Sequence, residues 1–144
     1  MQRFKVVLSD LHVGAGQGDA LEDLAAEPEL VHLLGELAEE STRTGAPAEL
    51  ILAGDTFEFL QVPSVDEPEA FQPTEPYTAE RYEASDEVSA AAKMRLILAG
   101  HPALVEALRR WLCEGPTRRS LTFIKGNHDV ELHWRAVQDV LRAT

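Results

Sequence analysis

The stretch Phe4-Lys5-Val6-Val7-Leu8-Ser9-Asp10-Leu11-His12 is apolar and β-branched as far as Leu8, then turns polar at Ser9-Asp10. A short buried strand that empties into a loop reads this way. The same grammar returns twice further along the chain. Glu49-Leu50-Ile51-Leu52-Ala53 is followed by Gly54-Asp55-Thr56-Phe57-Glu58, and Leu121-Thr122-Phe123-Ile124 leads through Lys125 into Gly126-Asn127-His128-Asp129. All three expected strands therefore end in residues able to do chemistry.

Between them the period changes. Leu30, Leu33, Leu34, Leu37 and Ala38 fall at helical spacing, and the pattern runs out near Gly45-Ala46-Pro47. Pro28 suits the first turn of that helix, with Glu27 and Glu29 at its positive end. From Pro63 to about Thr78, Pro63, Pro68, Pro73 and Pro76 alternate with Asp66, Glu67, Glu69 and Glu75, and no core element fits. A helical region follows from about Ala79, breaks at Gly100-His101-Pro102, and resumes through Leu104, Val105, Leu108, Trp111 and Leu112 to Gly115-Pro116. Residues 61–115 thus read as an acidic, Pro-rich and then helical insertion between the second and third strands, which fits either a cap over the strand ends or a plain surface excursion. A last helix is expected over roughly Val130 to Arg142, and Trp111 and Trp134 read as packing residues. Strand, helix, strand, helical insertion, strand, helix predicts an α/β fold with neighbouring parallel strands, whose ligands gather at the carboxyl ends. Gly14-Ala15-Gly16-Gln17-Gly18 has the wrong spacing for a dinucleotide fingerprint and reads as a flexible turn beside that rim.

Composition narrows the function. The 144 residues carry 25 acids against 13 Lys and Arg, a formal charge of −12, which excludes non-specific nucleic-acid binding through a basic face. A hydrophobic fraction of 44% with 26% charged residues is an ordinary single-domain balance. Cys113 is the only cysteine and has no partner for a disulfide, which points to the cytoplasm. The apolar run after Met1-Gln2-Arg3 is too short for a signal-peptide core, and no stretch approaches the roughly 18 apolar residues of a membrane span, so no membrane partner is expected.

Side by side, the three strands would bring Asp10, His12, Asp55 and Asn127 to one rim. Carboxylate, imidazole and amide donors together suit manganese, iron, zinc or magnesium rather than a soft, thiolate-bound ion. Asp10 and His12 are two apart, so in an extended segment they share a side and can chelate one ion. Gly54 and Gly126 let the backbone turn sharply before the ligands. Glu58 and Phe59 fit either a substrate pocket or a loop acid beside a packed ring.

Through Ser9-Asp10-Leu11-His12, Gly54-Asp55-Thr56-Phe57-Glu58 and Gly126-Asn127-His128-Asp129, the chain resembles the calcineurin-like metallophosphoesterases, over its whole length as an N-terminal half. The resemblance implies a four-layer α/β/β/α sandwich of which residues 1–144 form a truncated domain. It implies two divalent metal ions: Asp10 and His12 on the first, Asp55 bridging both, and Asn127 on the second. His128 would stand beside the leaving group, with Asp129 orienting its ring. The implied reaction is hydrolysis of a phosphomonoester or phosphodiester substrate by metal-bound hydroxide, and two cations would answer the acidic surface. The family's later Gly-His-x-His motif is not found in these residues, and His32, His101 and His133 read as structural or exposed. An apolar sheet face or edge is accordingly expected to be uncovered, to be closed by a C-terminal half, another chain or a homodimer partner. The alternative is a non-catalytic half-domain acting in assembly, or one that needs a partner chain to complete the site.

Overall fold

The strands Phe4–Leu8 (β1), Ala48–Ala53 (β2) and Arg119–Ile124 (β3) pair in parallel in the order β1-β2-β3, in a computed structural model that describes residues 3–16 and 18–144. Met1, Gln2 and Gln17, which enter the readings of the N-terminal run and the glycine loop, lie outside the described residues. The register runs Val6↔Leu50↔Leu121 and Leu8↔Leu52↔Phe123, so alternate apolar residues share one face. Helices Glu27–Thr44 (α1) and Pro102–Cys113 (α4) pack together and cover that face. There Leu30 and Leu34 of α1 and Leu104 and Leu108 of α4 meet Leu8, Leu50 and Leu52 around a cavity of about 20 Å³.

The opposite face carries the cross-strand rows Lys5↔Glu49↔Ser120 and Val7↔Ile51↔Thr122, with Ile124 opposite Ala53. Glu49 accepts from Lys5 Nζ at 2.9 Å and from Thr122 Oγ1 at 2.9 Å, while Val7 and Ile124 are 60% and 52% exposed. Parallel sheets are ordinarily covered on both faces, so this stripe is a departure from the usual packing.

β3 begins at Arg119, two residues before its apolar run, because this arginine is a core residue. Its guanidinium donates to Trp111 O at 2.7 Å and Ala38 O at 2.9 Å, satisfying carbonyls of both covering helices, and Trp111 Nε1 returns a bond to Ser120 O at 2.9 Å. The helical region after Ala79 splits into Ala79–Tyr82 (α2) and Glu87–Gly100 (α3), because Asp86 caps α3 by accepting from Val88 N and Ser89 N, each at 3.1 Å. The expected last helix is also divided: Val130–His133 is a 3₁₀ turn, Trp134 is extended, and Arg135–Ala143 forms α5, packed on α3. The Pro-rich segment does hold core residues, contrary to its sequence reading: Val65 is buried and Phe71 packs against the core. α3 is buried on most sides, and even Lys93 lies inside, its Nζ donating to Phe59 O at 3.0 Å and Tyr82 O at 2.5 Å. Burial pushes the pKa of this lysine down. No described helix is long and apolar enough to cross a membrane.

Leu50 is fully buried at the centre of the middle strand. Leu50→Ala is expected to cost about 2–5 kcal/mol in denaturant-induced unfolding, through lost transfer energy and the cavity left behind. A cost below about 1 kcal/mol would show that β2 does not lie in a packed core.

Candidate metal centre

Beyond the sheet the first two strands stay zipped as loops. Asp10 N donates to Gly54 O at 3.1 Å, His12 N to Asp55 O at 3.0 Å and Val13 N to Thr56 O at 2.9 Å, and Glu58 N returns to Val13 O at 2.9 Å. These bonds curl the backbone, and Asp10, His12 and Asp55 all take left-handed conformations, with φ of 56°, 49° and 50°. Asp10 and His12 therefore do not converge by strand alternation, as an extended segment would have them do. Holding non-glycine residues there costs on the order of 1 kcal/mol or more each, and such outliers cluster at functional sites. Their reward is convergence: single donor atoms of Asp10, His12 and Asp55 lie within 4.8 Å of one another.

The third loop is fastened to the second. His128 N donates to Asp55 Oδ1 at 2.9 Å, and Phe59 N donates to His128 O at 3.2 Å. Gly126 packs so tightly on Asp55 that a Cβ at this position would stand 2.1 Å from Asp55 Oδ1 and 2.6 Å from its backbone nitrogen. Glycine is needed here for close approach, and its φ is not in the left-handed region. Asn127 is exposed at the tip of this loop, between two residues that both touch Asp55. The structure thus groups Asp10, His12 and Asp55 directly and anchors the loop of Asn127 beside them.

Two acids have parts that the sequence did not assign. Asp129 is fully buried, and its oxygens accept from Gly126 N at 2.5 Å, Thr56 N at 2.8 Å and Phe57 N at 3.3 Å. It braces the backbone of two loops and does not hydrogen-bond the ring of His128, which corrects the orienting part implied for it. That part falls to Glu58. This residue is also fully buried, and its Oε2 lies 2.7 Å from His12 Nδ1 and 2.7 Å from His128 Nδ1, with Oε1 3.0 Å from the latter. The two rings stand edge to face with centroids 4.8 Å apart.

An ionised carboxylate can only accept, so both Nδ1 atoms carry hydrogen and both Nε2 atoms are left for other partners. A carboxylate behind an imidazole is the usual support for a metal-binding or proton-transferring ring. The hydrogen bond that His128 donates to Glu58, aided by the negative charge of Glu58, Asp55 and Asp129, raises the His128 pKa above its ordinary 6.5. Glu58 is the functional residue that sequence reasoning left open between two parts. The signal available was an acid three residues after Asp55 in a stretch flanked by Phe57 and Phe59.

The remaining histidines lie elsewhere. His32 is exposed, 3.5 Å from Glu36, and exposed His133 has Nδ1 2.8 Å from Val130 O, while His101 is buried between Glu22 and Glu27. The donor set fits a divalent cation: two carboxylates and an imidazole converge, with a second imidazole braced beside them. No protein-family model, curated protein or solved structure matches this chain.

Glu58→Gln removes the charge but keeps the shape. The His128 titration followed by ring-proton NMR, in protein freed of metal by a chelator, is expected to move down towards the ordinary histidine value. An unchanged midpoint would show that Glu58 does not hold this ring.

Proposed function

We propose that this chain is a metal-dependent phosphoesterase that hydrolyses a phosphomonoester or phosphodiester. The observation that carries the reading is the convergence of Asp10, His12 and Asp55 within 4.8 Å, at the cost of three left-handed backbone conformations. Asp10, His12, Asp55 and Asn127 would hold two divalent cations, of manganese, iron, zinc or magnesium. Bound there, such a pair supplies Lewis acidity, which acidifies a water and offsets charge on phosphoryl oxygens.

The other steps belong to side chains. His12 offers Nε2 to a cation because Glu58 occupies its Nδ1. His128 is set up as a proton donor: Glu58 fixes its Nδ1–H and leaves Nε2 directed elsewhere, and its raised pKa keeps the ring cationic further towards neutral pH. Delivering that proton to a departing alkoxide fits general-acid catalysis. The sign is definite: as pH rises through the His128 pKa the acid form is lost, so leaving-group protonation weakens on the alkaline side. Asp129 keeps the amides of Gly126, Thr56 and Phe57 engaged and so fixes where Asp55 and His128 stand.

A second reading is favoured by the open sheet face, where Val7 and Ile124 are more than half exposed. On that reading the chain is a half-domain that assembles through this face and binds metal weakly or needs another chain to complete its site.

Manganese titration by calorimetry together with hydrolysis of p-nitrophenyl phosphate separates the two. The enzyme reading expects two tight sites and metal-dependent release of p-nitrophenol, reduced roughly 100-fold or more by Asp55→Asn. One weak site and no turnover with any of the four metals would favour the assembly reading. Turnover that survives Asp55→Asn unchanged would sink the proposed site.

A further inference from the structure

His101 lies at the junction of α3 and α4 and is 1% exposed. Its Nε2 is 3.0 Å from Glu22 Oε2 and its Nδ1 is 3.1 Å from Glu27 Oε2. Two ionised carboxylates on the two nitrogens of one ring leave a single consistent assignment: both nitrogens donate, and only the imidazolium carries both hydrogens. Each glutamate passes the tie onward. Glu22 accepts from Gly14 N at 3.1 Å, Gly16 N at 2.6 Å and Leu24 N at 2.9 Å. Glu27, in the first turn of α1, accepts from Leu104 N at 3.2 Å in the first turn of α4.

The loop so held is not a free turn. Gly14, Ala15 and Gly16 are buried, and the backbone of Ala15 and Gly16 lies directly on Gly100. A Cβ on Gly16, whose φ is 105°, would stand 2.6 Å from Gly100 O, and one on Gly100 would stand 2.2 Å from Ala15 O. One ring therefore joins the loop after β1, the start of α1 and the α3–α4 junction. The loop begins immediately after Val13, which is zipped to Thr56 and Glu58.

We infer that His101 is a protonated positioning residue, a latch that fixes the Gly14–Gly16 loop against α3 and α4 and releases it when the ring gives up its proton. This goes beyond the metal chemistry proposed above and does not depend on it. Deprotonation sends one N–H hydrogen to solvent and leaves a nitrogen lone pair facing a carboxylate, so one of the two glutamates loses its donor. The charged groups that act on the ring are Glu22 from the loop and Glu27 from α1. The neighbouring turns of α3 and α4 bring no other charge to it among the described residues, and Asp19 lies beside Glu22, its own pKa raised chiefly by burial. Burial opposes charging the imidazole, but the two glutamates outweigh it and raise the His101 pKa above 6.5. The latch is therefore complete below that value and is lost as pH rises through the higher folded-state pKa. Glu22 is also desolvated, yet its bonds to His101 and to the loop amides lower its pKa from 4.5 to about 2, so on the acid side the stability it contributes declines below 4.5 and the carboxylate lets go of the ring only as pH falls through about 2.

The test is NMR on the full chain without metal. Long-range nitrogen–proton correlation should show both ring nitrogens of His101 protonated at neutral pH, with a titration midpoint above 6.5. Across that midpoint, amide exchange at Gly14 and Gly16, corrected for intrinsic base catalysis, should quicken about tenfold or more. In His101→Gln the same amides should exchange fast and without that pH step, because glutamine is neutral throughout. A neutral ring at neutral pH would overturn the inference, as would protection that stays level through the ring's titration or that His101→Gln leaves intact. If the variant does not fold, the wild-type titration decides. Because no metal is present, failure here leaves the proposed cation sites untouched, and failure of those sites leaves the latch standing.

Discussion

The carboxylate of Asp129 is the contact on which the rim depends. A charged acid without access to water costs several kcal/mol unless its oxygens are filled, and here three backbone amides fill them, from Gly126, Thr56 and Phe57. Charge-assisted bonds of this kind are roughly twice as strong as neutral ones. They lock the loop after β3 to the loop after β2. Glu58 then ties the first loop to the third through His12 and His128, and the backbone ladder from Asp10 to Val13 ties the first to the second. The three loops are closed on one another, which is how left-handed conformations at Asp10, His12 and Asp55 are tolerated.

Much of this frame is legible in the sequence because it follows from strong, local signals. Apolar runs that stop abruptly mark β1, β2 and β3, and their alternation with helices gives the parallel order. The strand-end position of Asp10, His12 and Asp55 is enough to expect them on one rim. What is not legible depends on backbone detail. Whether Asp129 or Glu58 reaches the His128 ring is decided by the turn through Gly126 and by a buried path from Phe57 to Phe59, and neither has a period to read. Arg119 looks like a strand's polar border, yet it is a core residue because carbonyls of two helices converge on its guanidinium. Glu22 and His101 are 79 positions apart in the chain, and no spacing rule links them.

Charge sorts the acids of the rim by availability. Glu58 and Asp129 are both fully buried and spend their oxygens on imidazole and amide hydrogens. Asp55 uses Oδ1 to hold the His128 amide, and neither its Oδ2 nor the exposed carboxylate of Asp10 has a hydrogen-bond partner among the described residues. The acids engaged by the protein act as its braces, and the acids left free are those best placed to meet a cation. In a chain of formal charge −12 this division matters. A cation is drawn to acidic regions in general, but coordination needs unspent oxygen atoms beside one another, and at the rim those of Asp10 and Asp55 lie where His12 adds a nitrogen.

Two histidine–glutamate clusters in one small protein show how stoichiometry sets the protonation that each ring needs. At the rim a single carboxylate serves two imidazoles, so each ring needs only one hydrogen, on Nδ1, to satisfy it. Both rings can be neutral with every contact intact, and each keeps an Nε2 able to exchange a proton or bind an ion. At the α3–α4 junction the ratio is inverted: two carboxylates serve one imidazole, both ring nitrogens must donate, and the neutral ring breaks a contact. The first arrangement tolerates a change of protonation, as a reacting group requires. The second couples protonation to backbone position, as a latch requires. The same residue pair therefore suits the proposed chemistry where rings outnumber acids and the proposed latch where acids outnumber rings.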